Sequence, residues 1–245
     1  MAHEPYIRTV PGSRQAVVLI HGILGTPEHF RDLLPLIPAQ WSVYNILLPG
    51  HGKSVRDFSR SSMDQWRSYV AELVTELSKQ YDGIFIIAHS MGTLFAIREA
   101  VKRPQKIRGL FLLQTPLYPR MKISAGLRAA LMPFGIVLKK AEDMYRGTSV
   151  AMDRRIWRYL GWIPRFWELF RECRATRSLL GRLSVPCRIY QCRKDEMVSP
   201  RTCRELAKYP QLQVTVLKEA SHYAYRGADL ALLQQELRDM IREIR

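Results

Sequence analysis

The stretch that most constrains this chain is Ile84-Phe85-Ile86-Ile87-Ala88-His89-Ser90-Met91-Gly92. An apolar run rich in β-branched residues ends in a serine flanked by small residues. A helical pattern, Thr93 to Ala100, begins directly afterwards. Strand, sharp turn with a serine at its apex, then helix is the geometry of a nucleophile elbow. Such a turn lifts a hydroxyl above the end of a sheet and holds it in a strained backbone, so small residues are needed on either side. Ala88 stands where the G-x-S-x-G pattern has its first glycine, and Gly92 supplies the second.

The rest of the chain supplies a sheet for that turn. Ala16–Ile20, Trp41–Leu47, Ile84–Ala88, Gly109–Leu113, Cys187–Cys192 and Gln213–Leu217 read as strands, with Tyr6–Thr9 as a short edge strand. Runs that are apolar throughout suit strands covered on both faces. A short helix is predicted near Glu28–Leu36. Met63–Lys79 carries Trp66, Val70, Leu73, Val74 and Leu77 on one helical face. The elbow helix runs to about Arg103, ahead of Pro104. Helices are also predicted over Arg201–Lys208 and Asp229–Ile244. Strands alternating with helices imply an α/β fold, a mostly parallel sheet with helices on both faces. The alternation lapses between residues 117 and 184, where Ala125–Lys140 and Asp153–Leu180 look helical. The expected organisation is a core of residues 1–116 and 185–245 with a helical cap insertion at 117–184.

The chain of 245 residues suffices for one good-sized core with an insertion. No apolar run approaches the roughly eighteen residues of a membrane span, and Met1–Pro5 does not read as a secretory signal. Cys173, Cys187, Cys192 and Cys203 lack metal-ligand spacing, so reduced thiols, a cytoplasmic location and no metal or cofactor are expected. The net charge of +16 is unusual, and residues 120–182 hold 14 basic against 5 acidic residues. Such an excess attracts nucleic acid, anionic membrane or acidic substrates, or simply solvates a surface.

Ligands of open parallel sheets bind beyond the carboxyl ends of the strands, and that is where Ser90, Asp195 and His222 fall. Serine needs a neighbouring imidazole to become nucleophilic, and His222 is the only histidine after His89. The acid that would orient this histidine has three candidates, Asp195, Glu196 and Asp229, the last also suited to capping the final helix. An oxyanion would be received by the backbone N–H of Met91, after the serine, and that of Ile23 in the His21–Gly25 loop. His21 and His51 read as structural loop residues, and His89 as core or as support for the reacting groups.

With these pieces in place, the sequence resembles the α/β-hydrolase superfamily, closest to bacterial carboxylesterases and monoacylglycerol lipases. The resemblance rests on His21-Gly22, Pro49-Gly50-His51-Gly52, His89-Ser90-Met91-Gly92, Asp195-Glu196-Met197-Val198 and Ser221-His222, in that order. It implies Asp195 as the triad acid, Ile23 as the second oxyanion donor, and residues 117–184 as the family's cap. The implied activity is hydrolysis of carboxylic esters, monoacylglycerols among them. Acyl transfer, peptide hydrolysis, or a basic binding role without catalysis are the alternatives. A serine at the elbow argues against the aspartate-nucleophile chemistry of dehalogenases.

The insertion is dense in aromatic residues with arginines between them. These would form the packed underside of a cap, line an acyl pocket through Trp157, Trp162 and Phe166, or meet an anionic membrane. The expected partners are a small acyl ester and, peripherally, such a membrane; nucleic acid is not expected.

Overall fold

The computed structural model describes residues 3–120, 122–123, 131–134 and 142–244. Seven strands form one sheet: β1 (Tyr6–Arg8), β2 (Gln15–Ile20), β3 (Ser42–Asn45), β4 (Gly83–His89), β5 (Ile107–Leu113), β6 (Cys187–Cys192) and β7 (Gln213–Leu217). Their spatial order is β1-β3-β2-β4-β5-β6-β7. Only the edge strand β1 runs antiparallel to its neighbour, and the other pairs are parallel. The chain steps from β2 to β3 on one side and returns to β4 on the other. The crevice between the ends of β2 and β4 is therefore the topological switch point, where doubly wound sheets bind ligands.

Alternation along the central strands divides the core in two. Ile84, Ile86 and Ala88 of β4 join Val18, Ile20, Leu110 and Leu112 on one face. Phe85 and Ile87 join Val17, Leu19, Phe111 and Leu113 on the other. This is the period-two geometry of a strand buried on both sides. The first face is covered by α1 (Val55–Arg60), α2 (Met63–Gln80) and α3 (Met91–Lys102), through Phe58, Trp66, Val70, Leu94 and Ile97. The second is covered by the final helix α7 (Gly227–Glu243), through Leu233, Leu237, Met240 and Ile241. The mostly parallel sheet with helices on both faces is thus the one expected.

Local departures have local causes. Residues 28–36 form two 3₁₀ turns, Pro27–Phe30 and Leu34–Leu36, rather than one helix. Pro35 has no N–H to continue the first turn into the second. The short α1 was not predicted, although Ser54 and Asp57 form a reciprocal capping box at its start. Within the insertion, α4 (Glu142–Arg146) precedes a 3₁₀ stretch, Ile156–Trp162, and α5 (Ile163–Arg177). Pro164 lies in the first turn of α5, where a proline's missing N–H costs no intrahelical bond. The helix expected over Ala125–Lys140 lies mostly outside the described residues. After β6 comes α6 (Arg201–Leu206).

Trp162 joins the insertion to the core. Its ring meets Phe58 at 5.1 Å and Tyr159 at 4.8 Å, and its indole N–H donates to the Val55 carbonyl at 3.3 Å. Glu172 of α5 is buried and pairs with Arg67 of α2 and Arg98 of α3. No described helix is long and apolar enough to cross a membrane.

Candidate active site

Ser90 sits between β4 and α3 with φ 50° and ψ −122°. That left-handed conformation is uncommon for a residue with a side chain and is held here by its surroundings. A Cβ on Gly92 would lie 2.2 Å from the Ile20 carbonyl oxygen, and one on Gly22 would lie 2.8 Å from the Ser90 Cβ. Both positions need glycine because β2 and the elbow approach so closely.

The structure brings Ser90, His222 and Asp195 together from three strand ends. Ser90 Oγ lies 3.1 Å from His222 Nε2, and His222 Nδ1 lies 2.9 Å from Asp195 Oδ2. All three residues are buried. Asp195 Oδ1 accepts from the backbone N–H groups of Met197 and Val198, each at 2.7 Å. Burial alone would raise the Asp195 carboxyl, but the adjacent His222 and these two amides hold it below its ordinary value.

The two other acid candidates take different positions. Glu196 Oε2 accepts the backbone N–H of His222 at 3.0 Å, so it holds the loop and not the imidazole. Asp229 does not cap its own helix, whose N-cap residue is Arg226. Its carboxylate accepts from the amides of Lys218, Glu219 and Ala220 at 3.2, 2.6 and 2.7 Å. It therefore clamps the turn after β7 that carries His222. This role was not legible in the sequence, because the amides it binds belong to another element.

The other histidines are supports. His89 is fully enclosed, and its Nε2 lies 2.9 Å from the His222 carbonyl oxygen, so Nε2–H is the donor. Burial first, and the neighbouring His222 second, push His89 down to about 3, so it stays neutral. His21 donates from Nδ1 to the Gly22 carbonyl at 2.8 Å and accepts the Leu48 N–H at Nε2 at 3.0 Å. His51 accepts the Leu24 N–H at Nε2 at 3.1 Å. Together they fix the loop after β2.

At that loop and at the elbow, two backbone N–H groups have no acceptor among the described residues. Met91 is the first residue of α3, and N–H groups there lack an intrahelical acceptor. In the facing turn, Gly25 N–H donates to the Gly22 carbonyl and Leu24 N–H to His51. The preceding N–H, that of Ile23, has no acceptor among the described residues. The aromatics expected at the substrate pocket are spread out: Trp162 is the buried joint, Phe166 is half-buried against the same core, and Trp157 is 64% exposed. The rings beside His222 are instead those of His89 and Tyr223, at 5.0 and 4.9 Å. A cavity of about 300 Å³ opens by the His222 loop, with Met144, Glu196, Ser221 and Tyr223 in its wall. No group of side chains fit for a metal occurs among the described residues.

The family model described as "Alpha/beta hydrolase family" matches residues 17–232, a span that contains every element of this site. The chain belongs to the alpha/beta hydrolase family. Among curated relatives, a pimeloyl-[acyl-carrier protein] methyl ester esterase of Neisseria meningitidis is 33% identical over 108 residues, covering 43% of this chain and 38% of that protein. The chain thus matches well under half the length of this relative. A dihydrolipoyllysine-residue acetyltransferase component of an acetoin cleaving system from Pseudomonas putida is 26% identical over 238 residues, covering 90% of this chain and 62% of that protein. Among solved structures, a metagenome-derived lipolytic enzyme superposes with a TM-score of 0.72 at 23% identity, covering 98% of both chains. The monoacylglycerol lipase of Paleococcus ferrophilus gives 0.68 at 18% identity, covering 96% of this chain and 98% of that one. Haloalkane dehalogenase from Bradyrhizobium elkanii gives 0.63 at 17% identity, covering 98% of this chain and 97% of that one. At these identities the superpositions speak for the hydrolase fold alone.

Proposed function

We propose that this α/β hydrolase is a serine esterase that cleaves carboxylic esters through an acyl-enzyme. The observation that carries the reading is the continuous chain from Ser90 Oγ through His222 to Asp195, at 3.1 and 2.9 Å, with the serine held at a positive φ. Ser90 Oγ attacks the ester carbonyl carbon as His222 Nε2 takes its proton. The amides of Ile23 and Met91 receive the developing oxyanion, each contributing roughly 3 kcal/mol to the transition state. His222 then protonates the leaving alcohol. Water, deprotonated by the same imidazole, releases the acid. Asp195 keeps the imidazole in the tautomer with its acceptor nitrogen toward Ser90 and stabilises the imidazolium. In this reading the described part of residues 117–184 caps the strand ends, anchored by Trp162.

The test is hydrolysis of p-nitrophenyl esters of increasing chain length, with labelling by a fluorophosphonate. Ser90→Ala is expected to lose the label and to lower kcat by about 10⁴-fold or more. Retention of either by a folded Ser90→Ala protein would remove the serine from the mechanism. The similarity to an acetyltransferase component along most of the chain favours a second reading, transfer of the acyl group to an acceptor other than water. Product partition in a mixed assay with an alcohol or thiol acceptor separates the two.

A further inference from the structure

The outer face of the insertion is built against the usual rule for a helix on a protein surface. α5 turns Leu169, Cys173 and Thr176 inward and packs against α2 and α3. Its outward positions Ile163, Trp167 and Phe170 are large and apolar, and Ile156, Trp157 and Leu160 of the preceding 3₁₀ stretch continue the exposure. These six side chains are between 47% and 66% exposed. An amphipathic helix with its apolar stripe facing water marks an interaction surface.

The charges around this face have one sign. Arg154, Arg155, Arg171 and Arg174 are exposed and have no ion pair among the described residues. The acidic side chains of the same segment are already committed. Asp153 pairs with Arg158, Glu168 with Arg165, and Glu172 lies buried between Arg67 and Arg98. Glu168 also accepts the Met63 N–H at 2.9 Å, which turns it toward the core. The face therefore offers apolar rings and unpaired guanidinium groups, with every carboxylate of residues 153–174 already paired.

We infer that this face docks the protein on an anionic phospholipid surface. Trp157 and Trp167 would enter the headgroup region with the aliphatic side chains beside them, and the arginines would pair with lipid phosphates. A second copy of the chain fits poorly, since a two-fold contact through this patch sets arginines against arginines. With no described helix able to cross a bilayer, the attachment is peripheral. The inference rests on the outer face and stands apart from the ester chemistry, so Ser90→Ala protein should bind as the parent does.

Co-sedimentation with phosphatidylcholine vesicles, with and without phosphatidylglycerol, at low and high salt, tests it. The parent is expected to bind the anionic vesicles on the order of tenfold or more tighter than the neutral ones, and to weaken as salt rises. Trp157→Ser with Trp167→Ser should cost about tenfold or more at unchanged charge, and should abolish a vesicle-induced blue shift of tryptophan fluorescence. Glutamine at Arg154, Arg155, Arg171 and Arg174 should cost on the order of a hundredfold. The same change at Arg201, Arg204, Lys218 and Arg238, exposed elsewhere, removes equal charge and should cost far less. Unchanged melting temperatures show that the variants fold. No binding to anionic vesicles at low salt, an equal loss from both charge sets, or full binding by the tryptophan variant would each overturn the inference. So would tight binding of polyglutamate with no blue shift on vesicles, which would assign the face to an acidic polypeptide.

Discussion

Acid should destabilise this protein well before its carboxylates are protonated, because its buried histidines are built to be neutral. His21 and His51 each use one ring nitrogen to accept a backbone N–H, from Leu48 and Leu24 respectively. A protonated ring has only donors, so either one would have to break that bond. Burial pushes His51 down to about 4 and His89 down to about 3, from an ordinary value of 6.5. The unfolded chain therefore binds more protons than the folded one between roughly pH 6.5 and 4, and stability falls as the pH falls. From pH 7 to pH 5, His51 and His89 each remove about 2 kcal/mol. His21, held well below its ordinary value by burial, acts in the same sense. Asp195, held low, contributes only below about pH 4, and Glu99, raised by burial, opposes the trend just above its ordinary 4.5. Against a typical stability of 5–15 kcal/mol, about 4 kcal/mol from two side chains is large. With a urea m-value near 3 kcal/mol/M, the midpoint should drop by somewhat more than about 1 M between pH 7 and pH 5. Urea melts followed by circular dichroism measure it, and NMR of the imidazole protons should find His51 and His89 not titrating down to about pH 5. A midpoint independent of pH over this range, at constant m, would refute the reasoning.

Other perturbations separate the supports from the chemistry. Asp229→Ala should cost about 1–3 kcal/mol of stability by stranding the amides of Lys218, Glu219 and Ala220, and should lower kcat more than it raises KM, read from thermal melts and steady-state kinetics. His89→Phe removes the donor to the His222 carbonyl, with an expected cost of about 1–3 kcal/mol in the same melts. Gly92→Ala places a methyl group against the Ile20 carbonyl, so soluble yield and melting temperature should fall sharply, whereas a neutral outcome would contradict the close approach. Asp195→Asn should leave the fold and fluorophosphonate accessibility largely intact while lowering kcat by about 10³–10⁴-fold in ester assays.

The sheet was legible because its strands are nearly pure apolar runs, and the elbow because a serine between a buried strand and a helix leaves few alternatives. The positions of Ser90, Asp195 and His222 at three strand ends followed from the same pattern. Supports were harder to read. Asp229 and His89 act on the backbone of the His222 turn from elements distant in sequence, and residue spacing carries no trace of such contacts. The 3₁₀ turns at 27–36 resemble a short helix in composition, and Pro35 alone signals the break. Trp157, Trp162 and Phe166 share one composition but occupy an exposed, a buried and an intermediate site, because helix rotation, not residue type, decides which ring faces water.

The near-contact of Gly92 with the Ile20 carbonyl ties the end of β2 to the first turn of α3 by main chain alone. Ile23 follows one partner of that contact by three residues, and Met91 immediately precedes the other. The loop that carries Ile23 is also held from the segment between β5 and β6, since Ser149 donates to the Leu24 carbonyl through its N–H at 2.8 Å and its hydroxyl at 3.3 Å. Substitutions at Ser149 therefore bear on the loop that carries Ile23, whereas the close approach of Gly92 to Ile20 is main chain against main chain and does not depend on them.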